Sequence, residues 1–182
     1  KKQYPIWEVL DAVSNLGFDG IELVSNWPQG GYPKASERDR IRALRRQYAG
    51  FGLQVFSVQM GAGDAFAPDA AARRAWLEQF RDIALMARQL GCAHVGMWPG
   101  GGLRGLTLDQ AIDLCAASFR EAGKIAEDLG GRGAIEKKTP FVFNQSDHLL
   151  RLLNGANHPA LKVIYDPSHF DLMNGSTGNP HE

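Results

Sequence analysis

The chain is poor in cysteine and carries no excess of either charge. Only Cys92 and Cys115 occur among its 182 residues. Two cysteines do not make a disulfide framework, and the count fits a reducing cytoplasm. Twenty basic side chains face twenty acidic ones, so the formal net charge is zero. Proteins that bind nucleic acid carry a basic excess that neutralises phosphates, so no nucleic-acid partner is expected. No apolar run approaches the roughly 18 residues that cross a bilayer, and no secretory pattern opens the chain. A membrane partner is not expected either. The first apolar stretch reads IELVSNWPQG (21–30). It lacks the GxGxxG spacing of a dinucleotide-binding fold.

What is present is ordinary globular composition, 44% hydrophobic and 22% charged, and it predicts one domain over residues 1–182. A joint recurs along it. NLGFDGIELV (15–24), GFGLQVFSV (50–58), QLGCAHVGMW (89–98) and DLGGRGAIE (128–136) each run from a helical segment through glycine into a short apolar stretch. Glycine relieves the left-handed backbone just past a helix, and the apolar stretch then reads as a buried strand. A fifth strand, LKVIYD (161–166), follows the turn-rich NGANHPA.

Between the strands, apolar residues recur at helical spacing. Ile6, Val9, Leu10, Val13 and Leu16 form one stripe, and Ile41, Leu44 and Tyr48 another. Trp76, Phe80, Ile83, Ala87 and Leu90 form a third. Leu108, Ile112, Cys115, Phe119, Ala122, Ala126 and Leu129 form a fourth. The run His148 to Leu153 predicts a last, short helix. Thr107 with Gln110 fits a capping box, and Asn144 fits an N-cap.

Helices thus alternate with strands five times, which predicts a parallel sheet with crossover helices. The expected fold class is α/β, a (β/α)8 barrel of which strands 2–6 are present. A full barrel needs eight strands and about 250 residues. The chain opens on lysine and closes on STGNPHE, so a domain truncated at both ends is expected.

In such a barrel the strands' C-terminal ends form the active-site face. The fourth visible strand ends on Glu136 and the fifth on Asp166. Neighbouring strands lie about 4.8 Å apart, so both carboxylates reach one ion. Pro167 holds Asp166 extended and stops the ladder, and His169 follows in the loop. A plain turn and a solvated strand end are the simpler readings of either residue alone. The two carboxylates with a nearby histidine make a metal site the sharper one.

Three stretches, LGFDGIELV (16–24), AIEKKTPFVFN (134–144) and VIYDPSHFDL (163–172), are similar to the xylose-isomerase-like barrel superfamily, in its sugar-phosphate isomerase/epimerase branch. DPSH is the most specific element. The resemblance implies that Glu136 and Asp166 bind a divalent metal and that His169 contacts substrate. It implies two further ligands from later strands, which this chain does not contain, and His181 does not match either of them. Mn2+ is the ion expected first, with Mg2+, Co2+ and Zn2+ also fitting an oxygen-rich shell with a histidine.

The reaction implied is isomerisation or epimerisation of a sugar, sugar phosphate or cyclitol. A proton is removed next to a carbonyl, giving an enediolate. Glu136 and His169 are the catalytic candidates. His169, Trp98 and Glu22 are the candidates for contact with a carbohydrate substrate, Trp98 by stacking. A homo-oligomer is compatible with the sequence. One departure from the epimerase pattern stands at Val142, where an acidic residue is common.

Alternatives remain open at this level. A dehydratase or lyase shares the first step. An endonuclease IV-like nuclease needs histidines where Gln59 and Trp98 stand, and neither side chain replaces imidazole on zinc. A sugar-binding subunit without catalysis is the third. Lys137 and Lys138 fit either an anionic substrate group or solvated surface. PGGGLRG (99–105) fits a phosphate cradle with Arg104, or a tight loop. His94 reads as a core histidine within a strand, and His148 and His158 as surface or helix-end residues.

Overall fold

The computed structural model describes residues 4–24, 31–138 and 141–169. His181 and the segment after His169 lie outside them. Five helices alternate with five strands: α1 Ile6–Asn15, β1 Gly20–Val24, α2 Arg38–Gly50, β2 Gln54–Ala62, α3 Ala70–Leu90, β3 His94–Trp98, α4 Leu108–Asp128, β4 Arg132–Glu136, α5 Ser146–Ala156 and β5 Leu161–Ile164.

The strands form one sheet in the order β1-β2-β3-β4-β5, and every neighbouring pair is parallel. A doubly wound sheet reverses its strand order at a switch point. Here the order follows the chain without reversal, as in a barrel, so the fold is α/β and forms part of a TIM barrel. The recurring joints account for the repetition. Gly17, Gly52, Gly91 and Gly130 all have positive φ, between 64° and 90°, just past α1, α2, α3 and α4.

The stripes on α3 and α4 face the sheet. Trp76, Phe80, Ile83, Ala87 and Leu90 are buried, as are Ile112, Cys115, Phe119, Ala122 and Ala126. Trp76 packs on Phe119 with centroids 5.6 Å apart. From the strands, Val58, Met60, Val95, Met97, Ile135 and Leu161 complete this core. Alternate strand residues point to opposite faces. The other face therefore carries Gln59, Gly96, Trp98, Ala134 and Glu136, and the sheet separates a dry outer core from a polar inner face.

Several expectations are corrected. Leu16 is 75% exposed because α1 ends at Asn15 and the helical register stops there. The capping box at Thr107 and Gln110 forms as expected. The cap of α5 is Gln145, one residue after Asn144. β5 ends at Ile164, two residues before Asp166, because its partner there is Glu136, the last residue of β4. His94 is the first residue of β3 and exposed rather than in the core, with Nδ1 3.3 Å from the Phe56 carbonyl oxygen.

Candidate metal centre and active site

Glu136 ends β4 and is 8% exposed. Its Oε2 accepts two hydrogen bonds, from Trp98 Nε1 at 2.6 Å and Gln59 Nε2 at 2.9 Å. Trp98 closes β3, and Gln59 lies in β2. Gln59 Oε1 accepts from the Gly61 N–H at 3.2 Å, which fixes which end of the amide faces Glu136. The Tyr32 hydroxyl donates to the Gln59 carbonyl oxygen at 3.0 Å, and burial pushes that phenol's titration up.

Asp166 is held by its own turn. Its Oδ1 accepts from the Ser168 hydroxyl at 2.6 Å and the Ser168 N–H at 2.9 Å. The His169 N–H closes the turn on the Asp166 carbonyl oxygen at 3.2 Å. The Ser168 hydroxyl is the main reason that the Asp166 carboxyl titrates below its ordinary range. Aspartate side chains commonly bond the backbone two residues on, and here that habit aims the free Oδ2.

His169 is buried between these groups. Its Nε2 lies 3.5 Å from Asp166 Oδ2 and 3.8 Å from Glu136 Oε1. Its Nδ1 is buried and has no partner among the described residues. One ligand atom from each of Glu136, Asp166 and His169 lies within 4.8 Å of the others. Two carboxylates and an imidazole at that spacing are a donor set that could hold a divalent cation. The three residues named from the sequence are thus brought together.

The remaining candidates border this cluster in different ways. Glu22, half-buried in β1, hydrogen-bonds Ser57, and its carboxyl titrates above the ordinary range chiefly through burial. The charges of Glu136 and Lys138 also reach it. The Lys138 ammonium sits 4.1 Å from the Trp98 ring centroid, so one face of that ring meets a cation. Lys137 is 4% exposed, not solvated surface, and burial lowers its titration. Arg104 is paired with Asp64 at 2.6 Å on the surface. Val142 is half-buried against the core. Gln59 is the residue whose contribution the sequence reading missed. No local motif marks it, because its contact with Glu136 spans 77 positions.

The family model described as xylose isomerase-like TIM barrel matches residues 10–177. The chain belongs to that family. Among curated proteins, none matches it. Solved structures of the xylose isomerase-like kind are similar in fold. One is D-psicose 3-epimerase in the presence of D-fructose, with 18% identity and a TM-score of 0.76 over 96% of this chain and 62% of that one. Another is the IOLI protein with a bound zinc atom, with 15% identity and a TM-score of 0.76 over 96% and 62%. A third is an AP endonuclease, family 2, from Brucella melitensis, with 20% identity and a TM-score of 0.73 over 96% and 67%. The chain therefore spans 62% of the length of the epimerase. Members of this barrel family are mostly enzymes, and no helix among the described residues is long and apolar enough to cross a membrane.

Proposed function

We propose that this chain carries the binding centre of a divalent-metal-dependent isomerase or epimerase acting on a sugar, sugar phosphate or cyclitol. The observation that supports it is the convergence of Glu136, Asp166 and His169 within 4.8 Å, with a buried imidazole nitrogen left over. The likeness to an epimerase fold and to a zinc-bound relative points the same way.

Glu136 and Asp166 would hold the ion, with Mn2+ the best match to their oxygens and Mg2+, Co2+ or Zn2+ also accommodated. Once bound, such an ion supplies Lewis-acid polarisation of a carbonyl and a neighbouring hydroxyl. The protein's part is positional. Glu136 presents Oε1 toward the cluster, and either Glu136 or the partner carboxylate implied from a later strand moves the proton next to the carbonyl. His169 hydrogen-bonds the carbonyl oxygen as negative charge develops there in the enediolate. Glu22 and Trp98 border the substrate.

The nuclease reading is disfavoured by the same geometry. Gln59 and Trp98 stand where imidazoles would be needed for a metal cluster, and both donate to Glu136 instead. The zero net charge gives no basic excess to attract DNA.

Two measurements test the proposal. Native mass spectrometry of the purified chain with Mn2+ is expected to show one ion per chain. Incubation of the loaded protein in D2O with a panel of ketoses and inosoles is expected to place deuterium on the carbon beside the carbonyl. Metal retention without exchange on any of them would favour a sugar-binding subunit. No retention at all would mean that Glu136, Asp166 and His169 do not suffice alone, and the metal reading would apply only to a protein that adds the two further ligands.

A further inference from the structure

We propose that Gln59 and Trp98 are positioning residues for Glu136, and that position 96 is glycine because the Gln59 amide must cross it. The inference rests on the metal reading above and deepens it.

A glutamate that serves an ion must not be free to rotate. Glu136 Oε2 is held from the adjacent β3 and from β2 beyond it, by the indole N–H of Trp98 at 2.6 Å and the amide of Gln59 at 2.9 Å. Both bonds end on a carboxylate in a buried site, where such bonds are stronger than neutral ones. The donors are themselves fixed. Gln59 is 1% exposed and its oxygen is held by the Gly61 N–H. Trp98 is the last residue of β3, with the Lys138 ammonium over its ring. With Oε2 occupied, Oε1 is the oxygen left toward His169 Nε2, 3.8 Å away.

Gly96 completes the arrangement. It is the register partner of Gln59 across β2 and β3. A Cβ there would stand 2.6 Å from Gln59 Nε2, 2.9 Å from Gln59 Cδ and 3.0 Å from Ile164 Cδ1. The first two approaches are shorter than packed atoms tolerate, so a side chain at 96 pushes the amide off Glu136. β3 thus supplies clearance at Gly96 and a donor at Trp98, two residues apart on one face.

The rival view is that Gln59 is only a buried amide finding its hydrogen bonds, as buried amides must. That view places the cost of substitution in stability. The positioning role places it in ion affinity, where loss of partners behind a ligand typically weakens binding about 10–100-fold.

The experiment titrates Mn2+ alone into the full chain by calorimetry. Trp98→Phe, Gln59→Ala and Gly96→Ala are each expected to weaken binding about 10-fold or more. The double variant G96A/Q59A is expected to match Gln59→Ala, because removing the amide removes the need for clearance. Ile83→Val, a core change away from the site, is expected to leave affinity unchanged. Melting curves confirm folding. If Gly96→Ala does not fold, Trp98→Phe decides for the donors, since it keeps an aromatic ring and removes the indole N–H. Folded variants with undiminished affinity would overturn the inference while leaving the metal reading intact. Additive losses in the double variant would overturn the role of Gly96. Absence of Mn2+ binding by the unsubstituted chain would overturn the inference for this chain, and would leave the metal reading to a protein that adds the two further ligands.

Discussion

His169 and Asp166 are joined twice within one turn: the histidine N–H meets the aspartate carbonyl oxygen at 3.2 Å, and its Nε2 lies 3.5 Å from Oδ2. The backbone contact sets the turn, and the side-chain approach makes a cluster with Glu136. Asp166→Asn and Glu136→Gln keep the shape of each side chain and remove its charge. Both are expected to reduce Mn2+ affinity beyond the roughly 10–100-fold that changes behind a ligand cost. Their far-UV spectra are expected to match the unsubstituted chain. Calorimetric titration checks this, and full affinity in either variant would show that the ion, if bound, is held elsewhere.

The Ser168 hydroxyl carries a second expectation. It is the largest cause holding the Asp166 carboxyl below its ordinary value of 3.8. A carboxyl depressed in the folded state contributes stability that is present above its unfolded value and lost as pH falls through its folded value. Ser168→Ala should move the folded value back up toward 3.8. Carboxyl-carbon NMR titration in EDTA reads this directly. The expected result is a higher midpoint for Asp166 and unchanged midpoints elsewhere. Denaturation curves of the two proteins should differ near neutral pH and converge in acid.

Much of the site was legible because its parts are short-range. DPSH places Asp166, Pro167 and His169 within four residues, and the Asx-type turn at Ser168 is a local habit of aspartate. Glu136 was legible from the glycine-to-strand joint that repeats along the chain. The hold on Glu136 was not. It depends on how β2, β3 and β4 are staggered, and the β2–β3 register is irregular between Gln59 and Ala62. A one-residue slip would turn Gln59 to the outer core. For Trp98 the residue type shows the ring, while its partner at the indole nitrogen, Glu136 on another strand, leaves no local mark. Likewise Lys137 resembled a solvated lysine, and only the packed structure shows it buried.

Helix α3 offers a test remote from the site. Asp69 is its N-cap, and its carboxylate accepts from Ala71 N–H at 3.1 Å and Ala72 N–H at 3.0 Å. Those backbone bonds lower its titration below the ordinary 3.8. The sign follows as for Asp166: the cap stabilises above that range and fades as pH falls through the lowered value. Asp69→Ala is expected to lower the melting temperature at pH 7. The gap should close in acid. Equal melting temperatures at pH 7 would show that the cap is idle. Mn2+ affinity at pH 7 should be unchanged.

The joints themselves can be tested at Gly91, the C-cap of α3, where φ is 90°. A Cβ there would meet nothing closer than Arg45 Nη2 at 3.9 Å, so crowding is not the obstacle. The cost of alanine is then conformational, roughly 1–2 kcal/mol for a side chain in the left-handed region. Gly91→Ala is expected to lose stability on that scale in urea denaturation, with an unchanged slope and unchanged Mn2+ affinity. Gly96→Ala is expected to lose Mn2+ affinity in addition to any loss of stability, because its obstacle is the Gln59 amide 2.6 Å away and its consequence falls on Glu136. The two glycines then separate a role in chain direction from a role in site geometry. If both substitutions produced the same loss of stability and neither touched affinity, glycine at 96 would be no more than another packing requirement of the sheet.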